Sequence, residues 1–338
     1  LHAVGSPFGY TPALGIRPLR EALAGHYRRW YGVELSAERI ALTTGSSGGF
    51  LLAFLAAFEA GDRVALARPG YPAYRNILSS LGCKVVDIDC GPEVRFQPTV
   101  ELLAAAHAEA PLAGLILASP ANPTGTMVSR PELAELVAWC DAHGVRLISD
   151  EIYHGVTYPV GADRGTSVLE LGGAAVVVSS FSKYWGMTGW RLGWLVLPQK
   201  LVGAVDALAG NLALCPPAPA QHAALRAFDD ESYAECDAAV ADFAAARAVF
   251  LAAADRLGWG VAAPADGAFY YYADLGAQLD RWGTSAAYAS ALLEATGVAV
   301  TRGRDFDSRL GDRTVRISFA AGSAAVAEAV ERIVAFQG

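Results

Sequence analysis

Short apolar runs alternate with segments of helical periodicity along the first two thirds of this 338-residue chain. Runs of about four to eight residues that are rich in β-branched side chains are typical of buried strands. Seven such runs lie at residues 39–44, 63–67, 84–89, 114–118, 145–149, 176–180 and 193–197. Strands that alternate with helices favour a mostly parallel sheet with helices on both faces. The pattern therefore predicts an α/β fold.

The pattern changes near Gly258, where shorter elements follow a long helical segment. Strands are predicted at 267–272, 298–300 and 314–319, and a helix at 285–296. A chain of 338 residues is also at the upper end of the size of one domain. We therefore expect a second, smaller lobe, which the N-terminal segment joins.

Composition and charge narrow the class of partner. The chain is 53% hydrophobic and 18% charged, which excludes a disordered polymer. A net charge of −8 and the lack of a Lys/Arg cluster argue against nucleic acid. The longest apolar run, near residues 50–58, is too short for a bilayer, and no signal-peptide pattern opens the sequence. We expect neither nucleic acid nor a membrane among its partners.

The cysteines and histidines indicate a compartment and argue against a metal centre. Five scattered cysteines, without a Cys-x-x-Cys pair, favour reduced thiols. The six histidines include no His-x-x-x-His pair, a spacing found in many zinc sites. We therefore predict a cytoplasmic protein with no metal.

Residues 176–193 carry the most informative chemistry. An apolar strand ends in Ser180 and Ser182, Lys183 follows, and a glycine-rich turn leads to Arg191. Only three of the 26 Lys and Arg residues are lysines, so the lysine at this position is unusual for the chain. Its amine can form a Schiff base, and the hydroxyls and the guanidinium can hold a phosphate.

A second glycine-rich turn contains Ser46 and Ser47, between a strand and a helix. The free backbone N–H groups of such a helix start can bind an anion. The same residues fit Gly-x-Ser-x-Gly, the nucleophile turn of α/β-hydrolases, with Ser47 as the nucleophile. That alternative needs a histidine later in the chain, where the last one is His222.

Three further strand ends carry aromatic or polar side chains. Tyr71 is held between Gly70 and Pro72, which suits stacking on a flat ring. Asn122 lies in a rigid loop between two prolines. Asp150 ends an apolar strand, where its carboxylate either meets a cation or caps the next helix.

These segments resemble the class I/II, fold-type I aminotransferases of the aspartate aminotransferase superfamily, which depend on pyridoxal 5'-phosphate (PLP). The matching motifs are Ser-x-Ser-Lys and Gly-x-x-Gly-x-Arg-x-Gly at 180–193, Asn-Pro-Thr-Gly at 122–125, Asp-Glu-x-Tyr at 150–153 and Val-Arg-Ile-Ser at 315–318. The resemblance extends from Tyr10 to about Phe319. It implies amino transfer from an L-amino acid to a 2-oxo acid, with aspartate-like or broad specificity.

The resemblance also implies a role for each site residue. Lys183 is expected to form the Schiff base, Asp150 to meet the pyridine nitrogen, and Tyr153 to contact the phenolic oxygen. Arg316 is expected to bind the substrate α-carboxylate, with Asn122 touching both substrate and cofactor. The other expected cofactor ligands, which stack on the ring or hold the phosphate, are Tyr71, Ser46, Ser47, Ser180, Ser182, Arg191 and, from a second copy of the chain, Tyr10.

The same resemblance implies the architecture. We expect a three-layer α/β/α large domain with a mostly parallel seven-stranded sheet at residues 30–230. Residues 1–29 and 231–338 are expected to form a smaller α/β domain, and two chains to form a homodimer with shared active sites. Asp307 stands where the family often has glycine, so the loop around it is expected to differ in shape.

Two alternatives share the predicted PLP site. A PLP-dependent carbon–sulfur β-lyase would use the same residues on a different substrate. A non-catalytic PLP-sensing module would need an attached DNA-binding segment.

Overall fold

The computed structural model describes residues 9–159, 161 and 163–338. Seven strands form its larger sheet: β1 (Ile40–Thr43), β2 (Arg63–Arg68), β3 (Lys84–Asp89), β4 (Gly114–Ala118), β5 (Arg146–Asp150), β6 (Val176–Ser180) and β7 (Gly193–Val196). Their order across the sheet is β1-β7-β6-β5-β4-β2-β3. Strand β7 runs antiparallel to β1 and β6, and the other neighbours are parallel. The predicted mostly parallel seven-stranded sheet is confirmed.

The helices begin and end at local sequence signals. The described α-helices are α1 (Arg17–Tyr31), α2 (Gly45–Ala57), α3 (Pro72–Ser80), α4 (Val100–Glu109), α5 (Arg130–His143), α6 (Gln199–Leu212), α7 (Ala218–Ala224), α8 (Asp230–Ala252), α9 (Gln278–Trp282), α10 (Ser285–Thr296) and α11 (Ser323–Gln337). Helix α5 starts at a capping box, in which Ser129 and Glu132 satisfy each other's backbone N–H groups. It ends at Gly144, whose φ of 66° is easily reached only by glycine.

Helices cover both faces of the larger sheet. Successive side chains of a strand point to opposite faces. In β6, Val177 packs in the apolar cluster that contains α1, α4 and α5, whereas Val176 and Val178 pack in the cluster that contains α2, α3 and α6. This is the predicted three-layer arrangement. It gathers the carboxyl ends of the parallel strands at one edge, where ligands bind in such folds.

The smaller lobe is built on a three-stranded antiparallel sheet. Its strands are β8 (Tyr270–Asp274), β9 (Thr301–Arg302) and β10 (Thr314–Ser318), in the order β8-β10-β9. Helices α8, α10 and α11 enclose its core, which includes Phe250, Leu292 and Ile333. The lobe has the α/β composition that the sequence predicts.

Helix α1 packs on the larger sheet, whereas the sequence prediction assigns residues 1–29 to the smaller lobe. Its buried stripe of Leu19, Leu23 and Tyr27 lies in the same cluster as residues of β1 and β7. The Tyr27 hydroxyl accepts a hydrogen bond from the indole N–H of Trp194 at 3.0 Å. Residues 1–8 lie outside the described residues, and the remaining domain boundaries stay predictions.

Helix α8 contacts both lobes. Near its start Tyr233 and Val240 pack with Tyr184, which follows the predicted catalytic lysine, and near its end Phe250 packs in the core of the smaller lobe. In the part of the chain that the structure describes, no helix combines the length and the apolarity needed to cross a membrane.

We expect Leu23→Ala to destabilise the larger lobe, because Leu23 is fully buried in the cluster that joins α1 to the sheet. Truncating a buried leucine typically lowers the free energy of unfolding by about 2–5 kcal/mol. Urea unfolding followed by tryptophan fluorescence measures the loss. The control is Leu293→Ala on α10, where the side chain is 50% exposed. Equal midpoints for the two variants would contradict the packing of α1 on the larger sheet.

Candidate active site

A cavity of about 330 Å³ opens at the carboxyl-end edge of the larger sheet and faces the smaller lobe. Ten of the twelve predicted site residues line it: Ser46, Ser47, Tyr71, Asn122, Asp150, Tyr153, Ser182, Lys183, Arg191 and Arg316. Phe50, Tyr74, Pro120, Ile152, Thr188 and Tyr270 complete its lining. Residues far apart in sequence therefore meet in one site.

One end of the cavity is built to receive an anion. Helix α2 begins there at Gly45, so the positive end of the helix dipole points into the site. The φ of Gly45 is +67°, a conformation that favours glycine. A Cβ at Gly45 would lie 2.4 Å from Nη2 of Arg191, and one at Gly193 would lie 2.8 Å from the backbone nitrogen of Ser46. The two glycines thus let the guanidinium and the helix start approach each other. Together with the hydroxyls of Ser47 and Ser182, the guanidinium of Arg191 and the start of α2 form a cradle suited to a phosphate dianion.

Ser180 and Tyr10 are the two predicted site residues that do not line the cavity of their own chain. Ser180 is buried, and its hydroxyl accepts a hydrogen bond from the backbone N–H of Ser182 at 3.1 Å. It supports the turn that carries Lys183 and does not line the cavity. Tyr10 is 87% exposed and is likewise absent from the lining formed by its own chain. Its contact with a second chain stays a prediction.

The other end of the cavity holds a buried carboxylate. Asp150 ends β5, where Oδ1 accepts the backbone N–H of Ile152 at 3.0 Å and Oδ2 accepts the hydroxyl of Tyr74. Burial raises the pKa of Asp150 to about 6, although both hydrogen bonds and the charge of Lys183 oppose the shift. A carboxylate in this position attracts a cation such as a protonated pyridine nitrogen. The cavity therefore suits PLP, because the cradle would bind the phosphate and Asp150 would pair with the ring nitrogen.

Lys183 lines the same cavity as the anion cradle and Asp150. Its Nζ is 5.5 Å from the ring centroid of Tyr153 and 5.6 Å from that of Phe269. Burial lowers the pKa of Lys183, and the charges of Arg316 and Arg191 lower it further, while Asp150 acts in the opposite direction. A lowered pKa increases the fraction of neutral amine, which is the nucleophilic form.

Arg316 enters the cavity from the smaller lobe. Its Nη1 donates to Oδ1 of Asn122 at 2.8 Å, so the guanidinium and the amide face the same space. The guanidinium carbon lies 4.2 Å from the ring centroid of Tyr270 and 4.7 Å from that of Phe306. Two rings therefore hold a cation whose Nε is buried without a hydrogen-bond partner among the described residues. The arrangement suits bidentate binding of a carboxylate.

The sequence analysis missed Tyr74 and Tyr270. Tyr74 lies one helical turn after Tyr71 at the start of α3, a spacing that places both side chains on one face. Tyr270 bonds the hydroxyl of Tyr153 at 2.7 Å. In β8, Tyr270 and Tyr272 share a face, and the register pairs Tyr272 with Arg316. The alternation of side chains between the two faces of the predicted strand was the sequence signal that could have identified Tyr270.

The α/β-hydrolase alternative lacks its histidine base in this site. Ser47 lines the cavity, but none of the described residues that line it is a histidine. His154, a buried histidine next to Tyr153 in the sequence, has its pKa lowered to about 3 by burial and bonds the Tyr31 hydroxyl at 2.7 Å. A serine nucleophile needs a base within hydrogen-bond reach. The geometry therefore favours a phosphate-binding role for Ser47.

Comparisons with known proteins agree with the motifs. The family model for aminotransferase class I and II matches residues 1–333. A valine–pyruvate aminotransferase from Mycobacterium tuberculosis is 53% identical over 325 residues, which are 96% of this chain and 82% of that protein. A crystal structure of an aminotransferase from Mycobacterium tuberculosis has a TM-score of 0.92 at 52% identity and covers 97% of this chain and 83% of that one. The crystal structure of a putative aminotransferase from Silicibacter pomeroyi has a TM-score of 0.88 at 43% identity. The match covers 99% of this chain and 90% of that chain.

We expect the affinity for PLP to fall as the pH drops through about 6, the pKa of Asp150, because the protonated carboxyl no longer attracts a pyridinium. In Tyr74→Phe the midpoint moves to higher pH, since the hydrogen bond from Tyr74 lowers the pKa of Asp150. Titration of PLP into cofactor-free protein between about pH 5 and 8 measures both midpoints.

The phosphate of PLP titrates in the same range, at about pH 6, and needs its own control. Asp150→Asn provides it, because any pH dependence that remains in this variant comes from the phosphate. Identical midpoints for the parent protein and Tyr74→Phe would contradict the assigned hydrogen bond.

Proposed function

Because the chain belongs to the class I and II aminotransferase family, we propose that it moves the amino group of an apolar L-amino acid such as valine to pyruvate. It is a PLP-dependent aminotransferase. The observation that carries the proposal is that Lys183 shares one cavity with an anion cradle, the carboxylate of Asp150 and the guanidinium of Arg316, and that Asp150, Arg191 and Arg316 all act on its pKa. One cavity thus offers an amine, a site for each end of the cofactor and a site for a substrate carboxylate.

Each end of the cavity has a part in holding the cofactor. The start of α2, Arg191 and the hydroxyls of Ser47 and Ser182 would bind the phosphate, and Asp150 would keep the ring nitrogen protonated. Tyr71 would stack on the ring, and Tyr153 and Asn122 would bind its phenolic oxygen. When bound, PLP supplies an aldehyde that takes up the amino group and a ring that accepts electrons from the bond at the substrate Cα.

Lys183 moves the proton. Burial lowers the pKa of its amine, which increases the fraction of the neutral form. With PLP and substrate bound, the free Nζ would take the proton from the substrate Cα as a general base and then, as a general acid, deliver it to C4′ of the cofactor. Arg316 and Asn122 orient the substrate through its carboxylate, which the amino acid and the oxo acid share. The same contacts therefore serve both halves of the reaction.

The charge of the cavity supports an apolar substrate side chain. Among the described residues that line it, the basic side chains are Lys183, Arg191 and Arg316, and each has a role above. No further cation in that lining remains for the second carboxylate of an aspartate-like substrate, which is costly to bury unpaired. Tyr71, Ile152 and Tyr270 supply apolar surface. This favours a valine-like amino acid over the aspartate-like class considered from the sequence.

We also propose a cytoplasmic homodimer in which Tyr10 reaches the cofactor phosphate of the second chain. The 87% exposure of its ring in the single chain supports a contact with another molecule. An apolar cleft that begins at Ala13 and continues to Leu212 and Pro216 offers adjoining surface for a second copy. All five cysteines are free thiols, which supports the cytoplasmic location.

Lys183→Ala should abolish turnover while the protein still binds PLP through the cradle and Asp150. Mass spectrometry after borohydride reduction should find PLP attached to Lys183 in the parent protein only. The control is Lys84→Ala, which removes an exposed lysine and should keep full activity. Near-normal amino transfer by Lys183→Ala would refute the assignment of the lysine.

Single amino acids added to the PLP-loaded enzyme test the substrate class. Valine should convert the cofactor to its aminated form, and kcat/KM for aspartate should be lower by roughly a hundredfold because its second carboxylate lacks a cation. Stopped-flow absorption measures both rates. Equal rates would overturn the apolar preference. Release of ammonia and a 2-oxo acid without any acceptor would instead favour the β-lyase.

A further inference from the structure

A buried ion pair joins the two lobes beside the active site. Arg68, the last residue of β2, donates from Nη1 to Oδ1 of Asp307 at 2.8 Å. Asp307 lies between β9 and β10 in the smaller lobe, and the side chains of both partners are 4% exposed. Buried charges are tolerated only when paired, so each residue fixes the position of the other.

The pair extends into a chain of four alternating charges. Arg68 also donates from Nε to Asp89 at 2.9 Å, and Asp89 in turn accepts from Nη1 of Arg309 at 2.6 Å. Arg309 follows Asp307 by two residues. The chain of charges therefore leaves the loop of the smaller lobe, passes through the ends of β2 and β3, and returns to the same loop.

Asp307 is itself held rigidly by that loop. Its Oδ1 accepts the backbone N–H groups of Arg309 at 2.8 Å and Leu310 at 3.0 Å. A glycine at this position would provide neither the acceptor nor the charge. The unusual aspartate at 307 thus has a specific partner in Arg68.

Residues adjacent to both partners reach the active site. Between Arg68 and Tyr71, the backbone N–H of Gly70 donates to the carbonyl of Phe306 at 3.0 Å. Phe306 precedes Asp307, and its ring packs on the guanidinium of Arg316. Tyr71 lines the cavity. A shift of the ion pair would therefore move the ring of Tyr71, which lines the cavity, and the ring of Phe306, which packs on Arg316.

We propose that the Arg68–Asp307 pair is a positioning device that sets Tyr71 and, through Phe306, Arg316 for binding the substrate carboxylate. The inference rests on the proposed function in one respect, the role of Arg316 as the carboxylate site. Neither Arg68 nor Asp307 lines the cavity that contains Lys183. Both act through their neighbours and not on the reacting atoms.

Asp307→Asn tests the pair, because the amide oxygen still accepts both loop N–H groups while the charge facing Arg68 is lost. We expect KM for the amino acid and for the oxo acid to rise about tenfold each, with kcat changing less than about threefold. Isovalerate, an unreactive carboxylate, should bind the PLP-loaded protein about tenfold more weakly by calorimetry.

Two further variants complete the comparison. Asp312→Asn breaks an exposed ion pair with Arg304 in the same loop and should behave as the parent protein does. Arg68→Gln, which also loses the contact with Asp89, should raise KM at least as much as Asp307→Asn does. The double variant should add little to Arg68→Gln, since both changes break the same Arg68–Asp307 pair. Should Asp307→Asn fail to fold, Arg68→Lys replaces it: the lysine keeps the charge but lacks the two-pronged guanidinium, so an intermediate rise in KM is expected.

The outcomes separate positioning from stability. A lower unfolding midpoint with unchanged KM values and unchanged isovalerate affinity in Asp307→Asn would overturn the proposal, because the pair would then act on the fold alone. A parent protein that transfers no amino group would refute the proposed function instead. The isovalerate comparison between parent and variant would still decide the role of the pair.

Discussion

The opposite charges of Lys183 and Asp150 meet in one buried cavity, and the other side chains of the site are arranged around them. Each group is costly to bury as an ion, and each favours the charged form of the other. Burial nevertheless prevails at both: the pKa of Asp150 is raised to about 6 and that of Lys183 is lowered. Burial thus shifts both groups toward their neutral forms. A bound pyridinium would restore the charge of Asp150 while leaving the amine available for chemistry.

The sheet explains why so much of this site could be predicted from the sequence. Asp150 is the last residue of a strand, and Ser46, Tyr71, Asn122 and Lys183 each lie within four residues after one. The strand pattern is a local property of the chain. Parallel strands then bring those positions to one edge without further information. The motifs around them are also contiguous, so a single segment carries each role.

The features that were missed depend on contacts between distant segments. Tyr270 reaches Tyr153 across 117 positions, and Phe306 contacts Arg316 only after the strands of the smaller lobe have paired. The stripe of α1 is visible in the sequence, but nothing local specifies whether it packs on the larger or the smaller sheet. Ser180 was assigned a phosphate-binding role as a hydroxyl of the Ser-x-Ser-Lys motif, whereas its side chain accepts a hydrogen bond from the backbone of Ser182. Local patterns specify elements, and tertiary packing selects their partners.

The requirement to accept two substrates in turn gives a physical reason for the construction around Arg316. An amino acid and a 2-oxo acid differ at the reacting carbon and share the carboxylate, so the carboxylate site must keep its geometry while the chemistry beside it changes. A long arginine side chain ordinarily loses considerable entropy when it is fixed. Here two aromatic rings, the amide of Asn122 and the hydroxyl of Thr301, at 3.3 Å, hold it before any substrate arrives. Because Asn122 belongs to the larger lobe and Arg316 to the smaller one, such preorganisation requires a fixed distance between the lobes. The buried charges of Arg68 and Asp307 supply that constraint at a point where neither has to touch the substrate.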